Sequence, residues 1–235
     1  MRQRRPTPAN PDAYIPGDRR LALARGSPIP DRVEGAALFA DISGFTSLTE
    51  ALARELGPQR GAEVLTGHID RVFQALIDVL SGFDGHVIYF SGDAITCWLD
   101  RADAVRATAC ALTMQRALRG EADITTPSGQ HIELALKVAV AVGAARRFVV
   151  GDPDIQLMDV LAGRLIDELA AAERHAKRNE VIAAASALER LGDNAIVDIR
   201  GGEDGTCYGV VSALTSVMEP AAPSTPSVAA LPADI

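Results

Sequence analysis

Between two short apolar runs, GAALFADI (35–42) and HVIYF (86–90), the sequence carries Leu65, Ile69, Val72, Leu76 and Val79 at steps of four and three. That spacing lays an apolar stripe along one face of a long helix over 59–82, and such a stripe has to be buried against other elements. The flanking runs supply them. GAALFADI reads as a buried strand, and HVIYF and AITCWL (94–99) flank a tight SGD turn (91–93) and read as a β-hairpin. SLTEALAREL (47–56) is a short helix whose Ser47 and Glu50 have capping-box spacing. A helix over about 101–119 carries Val105, Ala109 and Leu112 on one face, and IELALKVAVAVG (132–143) with RRFVVG (146–151) reads as a second strand pair. A helix over 163–177, VIAAA (181–185), a short helix in ASALERLG and strands near 195–200 and 207–214 complete the order. The order β-α-α-ββ-α-ββ-α-β predicts an α+β domain, a ferredoxin-like (palm-like) fold with a mainly antiparallel sheet and helices packed on one face.

The ends differ from this body. Residues 1–33 are rich in Pro and Arg without a sustained period and read as an arm; 218–235 are rich in Pro, Ala and Ser and read as a linker or disordered tail. The folded body is expected over 34–217, enough chain for one good core. A net charge of −8 excludes a non-specific nucleic-acid coat, which needs a basic surface. Cys97, Cys110 and Cys207 lie in apolar segments and read as small core residues of a reducing compartment. No apolar core follows MRQRR, and no apolar run reaches the roughly 20 residues of a membrane helix, so the expected location is cytoplasmic, with no membrane partner.

Two motifs carry chemistry. In FADISGFT (39–46) a buried strand ends in Asp41, and a Ser-Gly turn opens a helix. Unpaired amides at such a helix start suit phosphate oxygens, and a carboxylate beside a phosphate needs a cation between them. Alone, Asp41 reads better as a helix cap. In FSGDAITCWL (90–99) Asp93 stands at a hairpin tip, where Gly92 permits the turn. Alone, SGD is an ordinary turn. Together, two strand-end aspartates supply the carboxylate pair that two-metal phosphoryl chemistry requires.

FADISGFT followed about fifty residues later by FSGDAI resembles the catalytic domain of class III nucleotidyl cyclases, in particular the soluble adenylyl cyclases and their bacterial relatives. The likeness covers roughly 35–215. It implies that Asp41 and Asp93, with the Ile42 carbonyl, hold two Mg²⁺ (or Mn²⁺) ions per site. It places the amides of Gly44, Phe45 and Thr46, together with Gly92, against the phosphates of ATP. Lys137 matches a basic residue aimed at the triphosphate; a strand lysine that snorkels to solvent is an equal reading.

The complementary face departs from the pattern. The adenine-reading lysine falls at Tyr89, the base-reading Asp or Thr at Val160 beside Asp159, the transition-state asparagine at Asp167 and its arginine at Ala171, with Arg174 out of register by three residues. The arginine that holds a small anion in bicarbonate-responsive relatives falls at Ala170. The resemblance thus implies an adenylyl cyclase half-site, weak or inactive alone. It would pair in a homodimer, or in a heterodimer with a second cyclase domain, and convert ATP to cyclic AMP and pyrophosphate. A pseudo-cyclase that binds nucleotide as a regulatory or dimerisation module is the alternative. A metal-dependent phosphohydrolase or nucleotidyl transferase on the same fold is a third reading.

Overall fold

The structure is a computed structural model and describes residues 16–27, 29–152, 156–216 and 218–221. Strand β1 (Arg32–Ser43) is central. It pairs antiparallel with β3 (Ala94–Asp100) along one edge and with β6 (Ala135–Asp152) along the other, and its apolar run is buried on both faces by two packed clusters. Outward from β3 lies β2 (Gly85–Ser91). On the far side β6 pairs parallel with β8 (Val181–Ala183), followed by β10 (Cys207–Leu214) and β9 (Ala195–Gly201). β7 (Gln156–Ala162) pairs with the outer half of β6, and the short strands β4 (Asp123–Thr125) and β5 (His131–Glu133) form a separate ribbon. One parallel pair among antiparallel ones makes the sheet mixed but mainly antiparallel, in line with the expected α+β class.

Strand alternation sorts the residues of β1 onto two faces. Ala36, Leu38, Ala40 and Ile42 enter one core with helices α2 (Phe45–Leu56), α3 (Pro58–Gly82), α4 (Ala104–Arg119) and α6 (Ala185–Leu191). Ala37, with Phe39 partly buried, enters the other. There α5 (Arg164–His175) buries Leu165, Leu169 and Ala172 against Trp98, Ala139 and Ala141. The expectation of helices on one face therefore holds for α2, α3, α4 and α6 but not for α5. The reason is that both faces of the central strands are apolar, and each needs a cover.

Three local readings are corrected. The runs 132–143 and 146–151 are not a strand pair. Most of both lies in the single strand β6, whose outer partner is β7. α2 starts at Phe45, so Ser47 lies inside its first turn, and Gly44 in the left-handed region is the N-cap with no side-chain cap bond. The Ser47–Glu50 box is not used. Cys97 and Cys110 are buried, with burial pushing both thiols up, whereas Cys207 is exposed rather than a core residue.

The stretch expected as an arm, 1–33, contains helix α1 (Gly17–Ala24) and the start of β1; residues 1–15 lie outside the described set. α1 is fastened by ions. Arg147, whose side chain is 0% exposed, contacts Asp18 and lies 2.8 Å from Asp159, and Arg19 lies 2.9 Å from Asp159. Burial alone would raise the Asp18 carboxyl, but the hydrogen bond and charge of Arg147 outweigh it and hold the pKa below the ordinary value. Of the expected tail, only 218–221 is described, and there the Ala221 amide donates to the Gly82 carbonyl at 2.9 Å.

One glycine is fixed by packing. A Cβ on Gly35 would come within 2.3 Å of Trp98 Cζ2 and 2.5 Å of the Leu99 carbonyl. Gly35→Ala is expected to lower the unfolding free energy by about 1–3 kcal/mol, the usual cost of overpacking. A urea midpoint unchanged from wild type would show that Trp98 is free to move aside.

Candidate functional site

Asp41 is the penultimate polar position of β1, and the alternation that buries Ala40 and Ile42 beneath α2 to α4 turns Asp41 to the α5 face. In the sheet register Asp41 stands opposite Lys137 on β6 and opposite Ala94 on β3. Asp93 is the residue immediately before Ala94. Its carbonyl accepts a hydrogen bond from the Ile42 amide at 3.1 Å, so the two motifs meet at one end of the sheet. Asp93 is exposed in a turn where Gly92 has φ +64°, a conformation that favours glycine. Ile42 buries its side chain fully, leaving only its backbone to serve this edge.

The turn after Asp41 is equally constrained. Gly44 has φ +111°, and a Cβ there would lie 3.0 Å from the Glu133 carbonyl. Phe45 is buried beneath the turn while Thr46 is exposed. This anchors the first turn of α2, whose leading amides have no helical acceptor.

Lys137 bridges carboxylates. Its Nζ lies 3.1 Å from Asp41 Oδ2 and also contacts Glu173 Oε1 on α5. Burial alone would lower the lysine pKa, but the hydrogen bonds to Glu173 and Asp41 outweigh it and raise it, so the ammonium stays charged. Glu173 did not emerge from the sequence. It sits in AAAERH, a run of ordinary helical composition, and its signal is only that it stands eight residues after Leu165, on the edge of the stripe that α5 buries.

The donor set suits a hard divalent ion. Mg²⁺ is typically held by one or two carboxylates with substrate phosphates and water completing its shell. Asp41 and Asp93 offer oxygen donors on adjoining strand ends, and a cation, the Lys137 ammonium, already lies against Asp41. Among the described residues no group of three His, Cys, Asp or Glu gathers in a form that could hold a metal by protein ligands alone.

No protein-family model matches the chain. Adenylate cyclase type 10 of Oryctolagus cuniculus is 26% identical over 191 residues, covering 80% of this chain and 11% of that protein. The guanylyl cyclase Cya2 has the same fold at a TM-score of 0.65 and 21% identity, covering 82% of this chain and 98% of that structure. The adenylyl cyclase CyaB from P. aeruginosa superimposes at a TM-score of 0.62 and 20% identity, over 78% and 96%. The chain is a distant homologue of adenylate cyclase type 10 and shares the fold of the nucleotidyl cyclases. It spans about a tenth of the length of the curated relatives it matches.

The remaining positions named from the sequence fall as follows. Tyr89 projects from β2 with 48% exposure, next to Phe90, whose ring meets Phe73 edge-on at 5.3 Å. Val160 is half-buried on β7 opposite Phe148. Its neighbour Asp159 is committed to Arg19 and Arg147 and is not free to read a base. Asp167 and Ala170 are exposed on α5. Asp167 and Ala171 line a shallow cavity of about 240 Å³ with Arg164, Glu168, Asp204 and Thr206. Neither Asp41 nor Asp93 borders that cavity, so the structure sets Asp41 with Lys137 beside the Asp93 turn at the sheet end and groups Asp167 with Ala171 elsewhere on the chain. No helix of the described residues is long and apolar enough to cross a membrane.

Proposed function

We propose that this domain binds ATP with divalent ions at Asp41 and Asp93 and, paired with a complementary domain, cyclises it to cyclic AMP and pyrophosphate. The observation that carries the reading is the junction of the two motifs, where the Ile42 amide is tied to the Asp93 carbonyl at 3.1 Å beside Asp41. Divalent ions bound there supply charge neutralisation of the phosphates and acidify the ribose 3′-hydroxyl. The 3′-hydroxyl then passes its proton to water as its oxygen attacks the α-phosphorus in line, and the bond from that phosphorus to the oxygen bridging to the β-phosphate breaks, releasing pyrophosphate. The chain's own part is positional. The first amides of α2 at Gly44, Phe45 and Thr46 receive phosphate oxygens, Gly92 lets backbone approach, and Lys137 adds positive charge at the rim. The catalytic unit so proposed runs from β1 to β10, Arg32 to Leu214, with α1 clasped to it.

The complementary face argues for low turnover alone. Tyr89 carries no charge, Ala170 and Ala171 offer no donor, and the exposed Asp167 carboxylate would repel a triphosphate across a symmetric dimer. These same positions favour the second reading, a nucleotide-binding regulatory or dimerisation module. Removing one charge-stabilising donor costs about 10²–10³ in rate. The test is a cyclase assay with Mg²⁺ and Mn²⁺ on ATP and GTP, over a range of protein concentrations, alone and mixed with a cyclase domain carrying an intact complementary face. The expected result is little product alone and cyclic AMP on mixing. Turnover alone of about 1–10 s⁻¹, the scale of an ordinary enzyme, would refute the incomplete-face argument. ATP binding without cyclic product in any mixture would select the regulatory module.

A further inference from the structure

Glu173 lies outside the motifs, yet Lys137 divides its ammonium between Glu173 Oε1 and Asp41 Oδ2. All three side chains are about three-quarters buried: 25% exposed for Lys137, 24% for Asp41 and 22% for Glu173. An ammonium and a divalent ion on one carboxylate repel each other in a partly dry pocket. A metal on Asp41 therefore loosens the hold of the lysine on Oδ2 and favours its moving away. A part-buried ammonium displaced without a partner is costly, and the four-carbon lysine stem lets the head group swing rather than withdraw.

We propose that Glu173 is a positioning residue that receives the Lys137 ammonium when a divalent ion binds Asp41. The lysine then stays charged and paired at the rim, in reach of an incoming triphosphate. This rests on the reading of Asp41 as a metal ligand. Asp41, Asp93 and Glu173 against Lys137 leave a net −2 at this end of the sheet, which one divalent ion balances. Without the glutamate, Lys137 has Asp41 alone and competes with the metal for it.

The test is titration of the full chain with Mn²⁺ alone, following the free ion by electron paramagnetic resonance, at fixed pH and ionic strength. Glu173→Gln is expected to weaken Mn²⁺ binding on the order of fivefold to tenfold, within the coupling found for residues in contact. Lys137→Met should tighten it, and in that background Glu173→Gln should have less than about a twofold effect. Glu173→Asp keeps the charge but shortens the reach, and should show part of the loss. Equal effects of Glu173→Gln in both backgrounds, or none in either, would overturn the proposal, since the glutamate would then act as a distant charge or not at all. So would a Glu173→Asp variant that binds Mn²⁺ as wild type does. Asp41→Asn separates the two claims. If it leaves Mn²⁺ binding unchanged, the metal reading fails and the role of Glu173 falls with it; if it removes binding while Glu173 shows no coupling, only the positioning role fails. Unfolding midpoints measured on every variant identify any loss that follows from misfolding, and the Glu173→Asp comparison then decides the matter on folded protein.

Discussion

Asp93→Asn should lower cyclic AMP formation by the chain and its complementary domain by about 10²–10³. A metal acting as a Lewis acid at a phosphoryl centre is worth several kcal/mol, and each 1.36 kcal/mol is tenfold in rate. An amide keeps the shape of the turn but removes the anionic oxygens. Asp93 is exposed and forms no ion pair among the described residues, so its loss should hardly touch the fold. A surface change of this kind is usually within about 0.5 kcal/mol. The measurement is kcat of the reconstituted pair beside a urea midpoint of the isolated chain. Activity within threefold of wild type, or a loss that tracks unfolding, would remove Asp93 from the metal site.

The second large effect lies at the α1 clasp. Asp159→Ala leaves Arg147, with its side chain 0% exposed, facing Asp18 alone, and it strips Arg19 of its carboxylate. Breaking a buried pair by removing one partner typically costs about 3–5 kcal/mol, because the remaining charge stays out of water. The expected result is a lower urea midpoint of that order, with a smaller drop for Asp18→Asn, since Asp159 still pairs with the guanidinium. Acid should weaken the clasp as well. The Asp18 carboxyl is held below its ordinary pKa, so its contribution is complete above about pH 4 and is lost as the pH falls through the depressed value. A change below about 1 kcal/mol for Asp159→Ala would mean that water reaches the cluster.

The strands and helices around Asp41 and Asp93 were legible because each has one dominant periodicity. The stripe from Leu65 to Val79 became α3, and the apolar runs on either side of Gly92 became the hairpin β2–β3. Asp41 and Asp93 were legible as strand-end carboxylates, and the strand register sets their backbones side by side. What the sequence hid depends on long-range contact. Ser47 and Glu50 have the spacing of a cap, but the left-handed Gly44 begins the helix two residues earlier. β6 continues through Gly143–Arg146, where a turn was expected, because β1 and β7 pair with successive halves of it. Glu173 and the Asp18–Arg147–Asp159–Arg19 cluster join residues up to 140 positions apart. Nothing in the local composition of AAAERH or GDRRLALA marks them.

The most direct measurement is a crystal structure of the chain soaked with Mn²⁺ and a non-cyclisable ATP analogue, with anomalous scattering recorded at the manganese edge. The account predicts anomalous density between the carboxylates of Asp41 and Asp93, phosphate oxygens at the start of α2, and Lys137 moved off Asp41. Nucleotide bound elsewhere, or Lys137 still on Asp41 with no manganese between the two aspartates, would contradict it.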